Sequence, residues 1–258
     1  MDYLKKFTKN EFSDMLWNVP EQKNGTVNVI GGNAQSFRAP VKAAETLAEQ
    51  FPINTTTVVL PKSLESKVPK IEGFVFLPDT ESGSFGDVET LLKTIEAGDI
   101  NLFAGDLSKN NITRDVICEV TSKCTKPTLL TRDAVDLVSE GVPEKVLMNS
   151  ANTFFASLPQ LQKLFRAVYY PKVLTLSQSF IQVAEAIHKF TLSYPVGIIT
   201  LNNDQVIVAR DGNIYAVPLD KTAFTPMSFW LGEAAVKITG LNLYNPGIFL
   251  KASVAALF

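Results

Sequence analysis

The sequence is poor in the residues that most often carry chemistry. Among 258 residues there are one histidine, His188, and two cysteines, Cys118 and Cys124. The cysteines lie six residues apart, a spacing that matches no zinc or redox motif, and we expect two reduced thiols. We expect His188 to be a surface or boundary residue of a helix. No His/Cys metal cluster can be built, so we expect no metal site of that kind; a carboxylate-only Mg²⁺ site stays open.

Net charge and long apolar runs are also lacking. Lys and Arg number 24 against 26 Asp and Glu, a net charge of −2, and no segment concentrates basic residues. This balance does not indicate a nucleic-acid or lipid-surface binder. No apolar run approaches the roughly 20 residues of a membrane-spanning helix. The segment Met1–Lys6 is not followed by the apolar region of a signal peptide, so we expect none. We expect a cytoplasmic protein with no membrane or nucleic-acid partner.

Short apolar stretches alternate with amphipathic ones from about residue 26 onward. Buried strands without polar alternation, separated by helices, indicate a parallel sheet covered on both faces. The predicted strands are Val27–Ile30, Thr56–Leu60, Gly73–Leu77, Ile100–Ala104, Pro127–Leu130 and Lys145–Met148. The predicted helices are Ala39–Gln50, Asp87–Glu96, Ile112–Lys123 and Gln178–Leu192.

The last third of the chain departs from the alternation of buried strands and amphipathic helices. After a strand at Val196–Thr200, two strands flank the turn Asp211–Asn213, which predicts a β-hairpin. Trp230–Gly240 and Pro246–Leu257 are predicted as two packed helices. We therefore predict a single domain over 1–258 with a helical extension at 1–25. Its fold class is α/β, a three-layer α/β/α sandwich whose mostly parallel sheet is extended by a late antiparallel hairpin.

Three features are candidates for a site, and each has a structural alternative. Gly31-Gly32, between a strand and a helix, is either a tight turn or a place where a ligand reaches the helix N-terminus. The Asp79–Asp87 loop is either a ligand loop or a solvated polar loop. Glu233, at a predicted helix start, is either a helix-dipole charge or a catalytic carboxylate. No dinucleotide or P-loop glycine motif is present.

Several segments, taken in order, resemble one family. Val29–Gly32 followed by Ala39-Pro40 and Ala43-Ala44 is similar to a V-I-G-G…A-P…A-A pattern. The other matching segments are Ala104–Leu107 for G-P-G-L-G, Leu129–Ala134 for V-L-D-A-D-A, Asp211-Gly212 for D-G-R-V-Y, and Trp230–Leu241 for the helix start with G-S-G-D. Together they resemble the ribokinase-like superfamily, in particular its ADP/ATP-dependent NAD(P)H-hydrate dehydratase branch.

The resemblance implies a ribokinase-like fold, ATP or ADP with Mg²⁺, and an NAD(P)H-type ligand. The implied chemistry phosphorylates a hydroxyl and then eliminates it, which requires a carboxylate base and backbone N–H groups that hold phosphate. On this basis Glu233 is the catalytic candidate. The candidate ligand-binding residues are Gly31, Gly32, Asn33, Gly105, Asp133 and Gly232.

The sequence departs from the family's pattern at four places. Aligned on G-S-G-D, Gly232 takes the position of the base and Glu233 follows one residue later, about 100° round a helix. The other departures are Ser150–Thr153 for H-P-G-E, Leu201-Asn202 for K-G, and Thr131 for the first Asp of V-L-D-A-D-A. Four losses together predict that the family's chemistry is not performed in the family's way.

Three hypotheses follow. The preferred one is a non-catalytic or repurposed protein that binds a nucleotide or small ligand in the inherited cleft. The second is an active dehydratase with Glu233 as base and Gly31–Asn33 near the dinucleotide. The third is a scaffold or partner protein, since Ile248–Leu250 and Val254–Phe258 form an apolar stripe. That stripe must be buried within the domain or in a homo-oligomer.

Overall fold

The computed structural model describes residues 2–8, 11, 19–68, 72–141, 143–175 and 177–258, and these contain ten strands and ten α-helices. The strands are β1 Leu4–Lys6, β2 Asn24–Gly31, β3 Ile53–Pro61, β4 Phe74–Leu77, β5 Ile100–Gly105, β6 Thr128–Thr131, β7 Asn152–Phe155, β8 Gly197–Asn202, β9 Gln205–Arg210 and β10 Asn213–Pro218. The helices are α1 Arg38–Gln50, α2 Val88–Glu96, α3 Asn111–Lys123, α4 Asp133–Glu140, α5 Pro143–Leu147, α6 Leu158–Ala167, α7 Phe180–Ser193, α8 Pro226–Trp230, α9 Glu233–Tyr244 and α10 Phe249–Ala255.

All ten strands belong to one sheet, in the order β1-β10-β9-β8-β7-β6-β5-β2-β3-β4. Neighbouring strands pair in parallel except at β9, which runs antiparallel to both β8 and β10. The late hairpin therefore extends a parallel sheet, as the sequence predicted. The chain winds from β2 to one side through β3 and β4, then returns to the other side of β2 at β5. This reversal makes β2 and β5 the topological switch point of the sheet.

Successive residues of each strand face opposite layers, so two separate cores form. In β2, Val29 belongs to the core under α1, α9 and α10, whereas Ile30 belongs to the core under α2–α7. In β5, Leu102 and Phe103 divide in the same way. All four side chains are 1% exposed or less, as expected of parallel strands covered on both faces. The predicted three-layer α/β/α sandwich is confirmed.

A buried polar row crosses the central strands near their amino ends. Asn28, Asn101, Thr128 and Asn152 are in register on β2, β5, β6 and β7. All are at most 3% exposed. The Asn28 amide donates to Asn101 Oδ1 at 2.9 Å, and the Asn101 amide donates to Thr128 Oγ1 at 3.3 Å. Because an unpaired amide is costly in an apolar interior, these bonds fix which residues of neighbouring strands face each other.

Two sequence-based expectations about local structure are wrong. Lys145–Met148, predicted as a strand, lies mostly in helix α5. Val146 and Leu147 are adjacent and both fully buried against one core. A helix can turn two adjacent side chains toward the same core, whereas a strand points them to opposite faces. The expected helical extension at 1–25 is wrong for residues 4–6, which form β1 beside β10, and for residues 24 and 25, which begin β2; residues 1, 9, 10 and 12–18 lie outside the described part.

Most of the apolar C-terminal stripe packs within the chain. Helix α10 packs against α9, β9 and β10. Val254 and Leu257 are both fully buried, whereas Ile248 is 40% exposed. The domain therefore covers the second half of the stripe itself. Within the described ranges, no helix has the length and apolarity to cross a membrane.

The polar row generates a stability prediction. We expect Asn101→Leu to lower the free energy of unfolding by about 1–3 kcal/mol, because Thr128 and Asn28 each lose a buried partner. Urea unfolding followed by circular dichroism measures this. Asn54→Leu is the matched control on the exposed part of β3, with an expected change within about 0.5 kcal/mol. Equal unfolding midpoints for the two variants would contradict a structural role of the row.

Candidate active site

A cavity of about 460 Å³ opens at the carboxyl ends of β5 and β6, between α1 and α9. Leu102 and Ala104 of β5 and Thr131 of β6 form its floor, and Ala235 and Val236 of α9 form one wall. The volume lies in the range of small-molecule sites. Its place beside the β2–β5 switch point is where sheets of this winding bind their ligands.

Two neighbouring strands lie in close backbone contact beside the cavity. A Cβ on Gly31 would lie 2.3 Å from the carbonyl oxygen of Gly105, and the pairing of β2 with β5 shifts register at this point. The N–H of Gly32 donates to the same oxygen at 3.1 Å. A side chain at Gly31 would force the two strand ends apart. The glycine pair predicted as a turn is therefore a junction between the two strands at the switch point.

Asp106 connects this junction to the start of α1. It follows β5 with a φ of 60°, in the left-handed region, and lines the cavity. One carboxylate oxygen accepts from the N–H of Ala39 at 2.9 Å, in the first turn of α1. Asn33 donates its side-chain amide to the Asp106 carbonyl at 2.7 Å. Asp106 thus caps α1 and holds the loop that precedes it.

Arg132 follows β6 and also lines the cavity. Its φ of 50° and ψ of −120° are rare for a residue with a side chain. A guanidinium nitrogen lies 3.4 Å from the second oxygen of Asp106. The arginine stem lies against Gly105, whose missing Cβ would be 3.0 Å from Arg132 Cδ. Two adjacent strands therefore each end in a non-glycine residue with positive φ, and these two residues meet in the cavity.

Charged side chains line the cavity, with three cations against two carboxylates. Lys42 lies 3.3 Å from Glu233, and both side chains are well exposed, at 63% and 42%. Such an exposed pair contributes little to stability. Arg38, exposed at the start of α1, makes no ion pair with the described residues. The cavity has an apolar floor and a rim with an excess of positive charge.

Helix α9 begins at the edge of this cavity. Glu233 is its first residue and Gly232 its N-cap, with a φ of 107° and no side-chain cap. Both residues line the cavity. A helix N-terminus favours negative charge, and Glu233 is the acidic residue in this first turn.

Aromatic side chains close the neighbouring part of the sheet edge. Phe155, the last residue of β7, lies 4.7 Å from the Phe229 ring and 5.7 Å from the Trp230 ring. Phe229 is fully buried and Phe155 is 2% exposed. The segment Phe229–Gly232, expected at the position of G-S-G-D, fills space with rings where glycines would leave room for a phosphate. The open cavity therefore ends at β6.

The structure divides the sequence-predicted site residues into three groups. Gly232 and Glu233 line the cavity. Gly31, Gly32, Asn33 and Gly105 form the junction and the loop behind it, without lining the cavity. Asp133 belongs to neither group.

Asp133 belongs to an ion-pair cluster beside α4. Its carboxylate lies 3.8 Å from Lys109 Nζ, which lies 2.9 Å from Asp136. Burial raises the pKa of Asp136, but hydrogen bonds from Lys109 and Lys163 outweigh it and hold the pKa below its usual value. The hydrogen bond that Lys109 donates to Asp136 raises the pKa of Lys109. These pairs join α4 to its neighbours, so the geometry gives Asp133 a structural position.

Other expected positions lie away from the cavity. Ser150–Thr153 spans the amino end of β7, whereas the cavity lies at the carboxyl ends of the strands. Asp79 accepts from the N–H of Ser63, and Asp87 caps α2. A hydrogen bond from Thr90 lowers the pKa of Asp87. The Asp79–Asp87 loop is thus accounted for by local structure.

His188 lies away from the cavity, at the edge of the sheet formed by β1 and the hairpin. Its ring stacks on Tyr3 with ring centres 3.8 Å apart, and its Nδ1 bonds the carbonyl of Gly212 in the hairpin turn. His188 therefore holds β1 against the hairpin.

Mg²⁺ does not fit the carboxylates of the cavity. Both oxygens of Asp106 already have donors, and Glu233 pairs with Lys42. In the described ranges, no three His, Cys, Asp or Glu side chains converge as a metal site. A magnesium site needs carboxylate oxygens free to bind the ion, so no step through Mg²⁺ follows from these residues.

Sequence reasoning missed the charged residues that shape this cavity. Arg38, Lys42, Asp106 and Arg132 were not candidates, although Asp106 and Arg132 each lie two residues beyond a predicted strand and directly follow an observed one. Position at a strand's carboxyl end is the signal that could have found them.

Comparisons with known proteins bear on the fold. No family model matches the sequence, and no curated protein sequence matches it significantly. Solved structures do match. A ribokinase-like superfamily protein of Enterococcus faecalis V583 is 15% identical with a TM-score of 0.69, over 99% of this chain and 86% of that one. Bacillus subtilis YxkO, a member of the UPF0031 family, is 12% identical with a TM-score of 0.61, over 93% and 82%.

A third match is Bacillus subtilis pyridoxal kinase, solved as an ADP complex. It is 13% identical with a TM-score of 0.53, over 90% of this chain and 88% of that one. Identities this low show a shared fold, and function must be argued from the site. The chain has a ribokinase-like fold: a mostly parallel sheet between helical layers, built over nearly its whole length.

Proposed function

We propose that this protein binds a small anionic molecule, such as a nucleotide, in the cavity between α1 and α9, without the family's catalytic chemistry. The observation that carries the proposal is the cavity itself: about 460 Å³, apolar at the floor, with Arg38, Lys42 and Arg132 at the rim. Three cations against two carboxylates favour an anionic ligand. An apolar floor favours a ligand with an uncharged body.

The rim gives little support to phosphoryl transfer followed by elimination. A general base must reach the proton it removes and must not be held by another group. Glu233 forms an ion pair with Lys42 at the mouth of the cavity, and rings of Phe155, Phe229 and Trp230 cover the next strand end. Both features support binding over turnover.

The structural neighbours add a limited argument for a nucleotide. Pyridoxal kinase of the same fold was solved with ADP. In this chain, the uncapped N-terminus of α9 at Gly232 and the basic rim residues could hold phosphate oxygens. An adenine nucleotide is therefore the first ligand to test.

Filling the cavity should remove binding. We expect ATP, ADP, NAD or NADP to raise the melting temperature of the wild type, because a ligand of the native state stabilises it by mass action. Ala39→Trp places a large ring in the cavity and should abolish the shift for whichever nucleotide gives one. Differential scanning fluorimetry measures both, and isothermal titration gives the Kd.

The control for Ala39→Trp is Ala97→Trp, the same exchange at an exposed residue that does not line the cavity. It should keep the wild-type shift. If all four nucleotides leave the wild-type melting temperature unchanged at millimolar concentration, nucleotide binding is refuted. A shift that Ala39→Trp retains would place the nucleotide elsewhere.

A second candidate function is supported by one observation. Glu233 is the first residue of α9 and lines the cavity, as a base near a bound hydroxyl would. If the protein is an active ATP- or ADP-dependent NAD(P)H-hydrate dehydratase, purified protein with nucleotide should restore the 340 nm absorbance of hydrated NADH. Glu233→Gln should then lower the rate by about 10²–10⁴-fold.

Our preferred proposal predicts no such turnover. The matched control is Glu49→Gln, an exposed carboxylate at the far end of α1. Turnover lost in Glu233→Gln and kept in Glu49→Gln would overturn the binding-only proposal and establish the second function.

A further inference from the structure

We propose that Arg132 is the residue that selects the ligand, by binding a phosphate or carboxylate group of a small organic molecule that has an apolar body. The inference rests on the proposed binding function of the same cavity and deepens it. It assigns a chemical class to the ligand and a binding role to one side chain.

The backbone of Arg132 is strained. A φ of 50° with a ψ of −120° is comfortable for glycine and strained for arginine. The surrounding structure enforces it: the Arg132 carbonyl accepts from the N–H of Val135 at 3.1 Å and from the Gln160 amide at 3.0 Å. A glycine at this position would satisfy the same bonds without strain, so folding alone does not explain an arginine.

The Arg132 side chain extends from the strand end into the lining of the cavity. The stem lies on the bare Cα of Gly105, and the guanidinium reaches the cavity, where the side chain is 30% exposed. A guanidinium has five N–H donors. Among the described residues, one bond is made, to Asp106 at 3.4 Å, which is long for a charge-assisted bond. Most of the donors therefore have no acceptor among the described residues, and the residue lines the cavity.

Asp106 has a structural role that does not depend on Arg132. Its other oxygen caps α1 through the N–H of Ala39 at 2.9 Å, which is a sufficient structural role. An incoming anion can accept from the remaining donors of Arg132 while Asp106 stays in place. Arg38, without an ion-pair partner among the described residues, adds a second cation on the same side.

The apolar lining of the cavity indicates what the rest of the ligand is. Leu102, Ala104 and Val236 present apolar surface beneath the guanidinium. The planar guanidinium can bind two oxygens of one oxyanion at once. Together with the apolar floor, it fits an oxyanion attached to a hydrocarbon or a ring. Phenyl phosphate and benzoate carry this chemistry, and benzyl alcohol is a neutral analogue of similar size.

The test exploits the strain. Arg132→Gly should melt at the same temperature as the wild type or higher without ligand, since glycine accepts the backbone conformation. The same variant should bind phenyl phosphate or benzoate about tenfold to a hundredfold more weakly by isothermal titration. Arg132→Gln, which keeps the strained backbone and loses the charge, should show the same loss of binding. Neither variant should change the weak binding of benzyl alcohol.

Asp211→Gly is the matched control. Asp211 also has a φ of 50°, in the β9–β10 turn away from the cavity. Its replacement should relieve strain in the same way and leave the affinity for both oxyanions unchanged. A melting temperature that falls in Arg132→Gly while oxyanion affinity is retained would mean that Arg132 is structural, and the inference would be wrong.

The inference and the proposed function can fail separately. If Ala39→Trp abolishes binding and Arg132→Gly does not, the cavity binds the ligand but Arg132 does not select it. If neither oxyanion binds the wild type at millimolar concentration, the ligand class is wrong, while a nucleotide-induced shift would still support the cavity. If benzyl alcohol binds as tightly as benzoate, the charge has no role and the inference is overturned.

Discussion

The contact between Gly31 and Gly105 is the constraint on which the site depends. At this point β2 and β5 approach so closely that a Cβ on Gly31 would lie 2.3 Å from a carbonyl oxygen. Because the chain leaves the two strands in opposite directions, their ends diverge immediately beyond the contact. The divergence places α1 on one side and Asp106 on the other, and the cap from Asp106 to Ala39 joins them again. The cavity is the space that remains between these elements.

The strained residues are held by the parts of the fold that are most firmly packed. Asp106 and Arg132 follow strands β5 and β6, whose residues Leu102 and Leu130 are almost fully buried. A non-glycine residue with unfavourable backbone angles costs about 1–3 kcal/mol, and it persists only where such packing and the bonds to the Arg132 carbonyl leave no alternative. The polar row of Asn28, Asn101 and Thr128 fixes the register of the same strands from their other end. The packed sheet thus holds these residues rigidly, and the strained backbone angles lie at the carboxyl ends of its strands.

Sequence reasoning found the frame of this site more readily than its side chains. Val27–Ile30 with Gly31-Gly32 was predictable because a short apolar run before two glycines has few alternatives in an α/β protein. Strand β7 was missed because it begins with Asn152 and Thr153, which are buried only because other strands and helices supply their partners. Arg132 could not be recognised, since its importance lies in a backbone angle and in its reach across Gly105. Neither property can be deduced from the residues that flank Arg132 in the sequence.

The packing at the strand ends also bears on how far a shared fold implies a shared chemistry. The junction of glycines is needed to close the sheet, so it persists whatever the cleft does. The rings of Phe155, Phe229 and Trp230 also stabilise the core, but they do so by occupying a strand end next to the cavity. Burial of these aromatic rings is favourable for folding and leaves less room for a second substrate. A cleft narrowed in this way has room for the one anion that we propose to bind beside Arg132, whereas a transfer reaction needs donor and acceptor together within bonding reach.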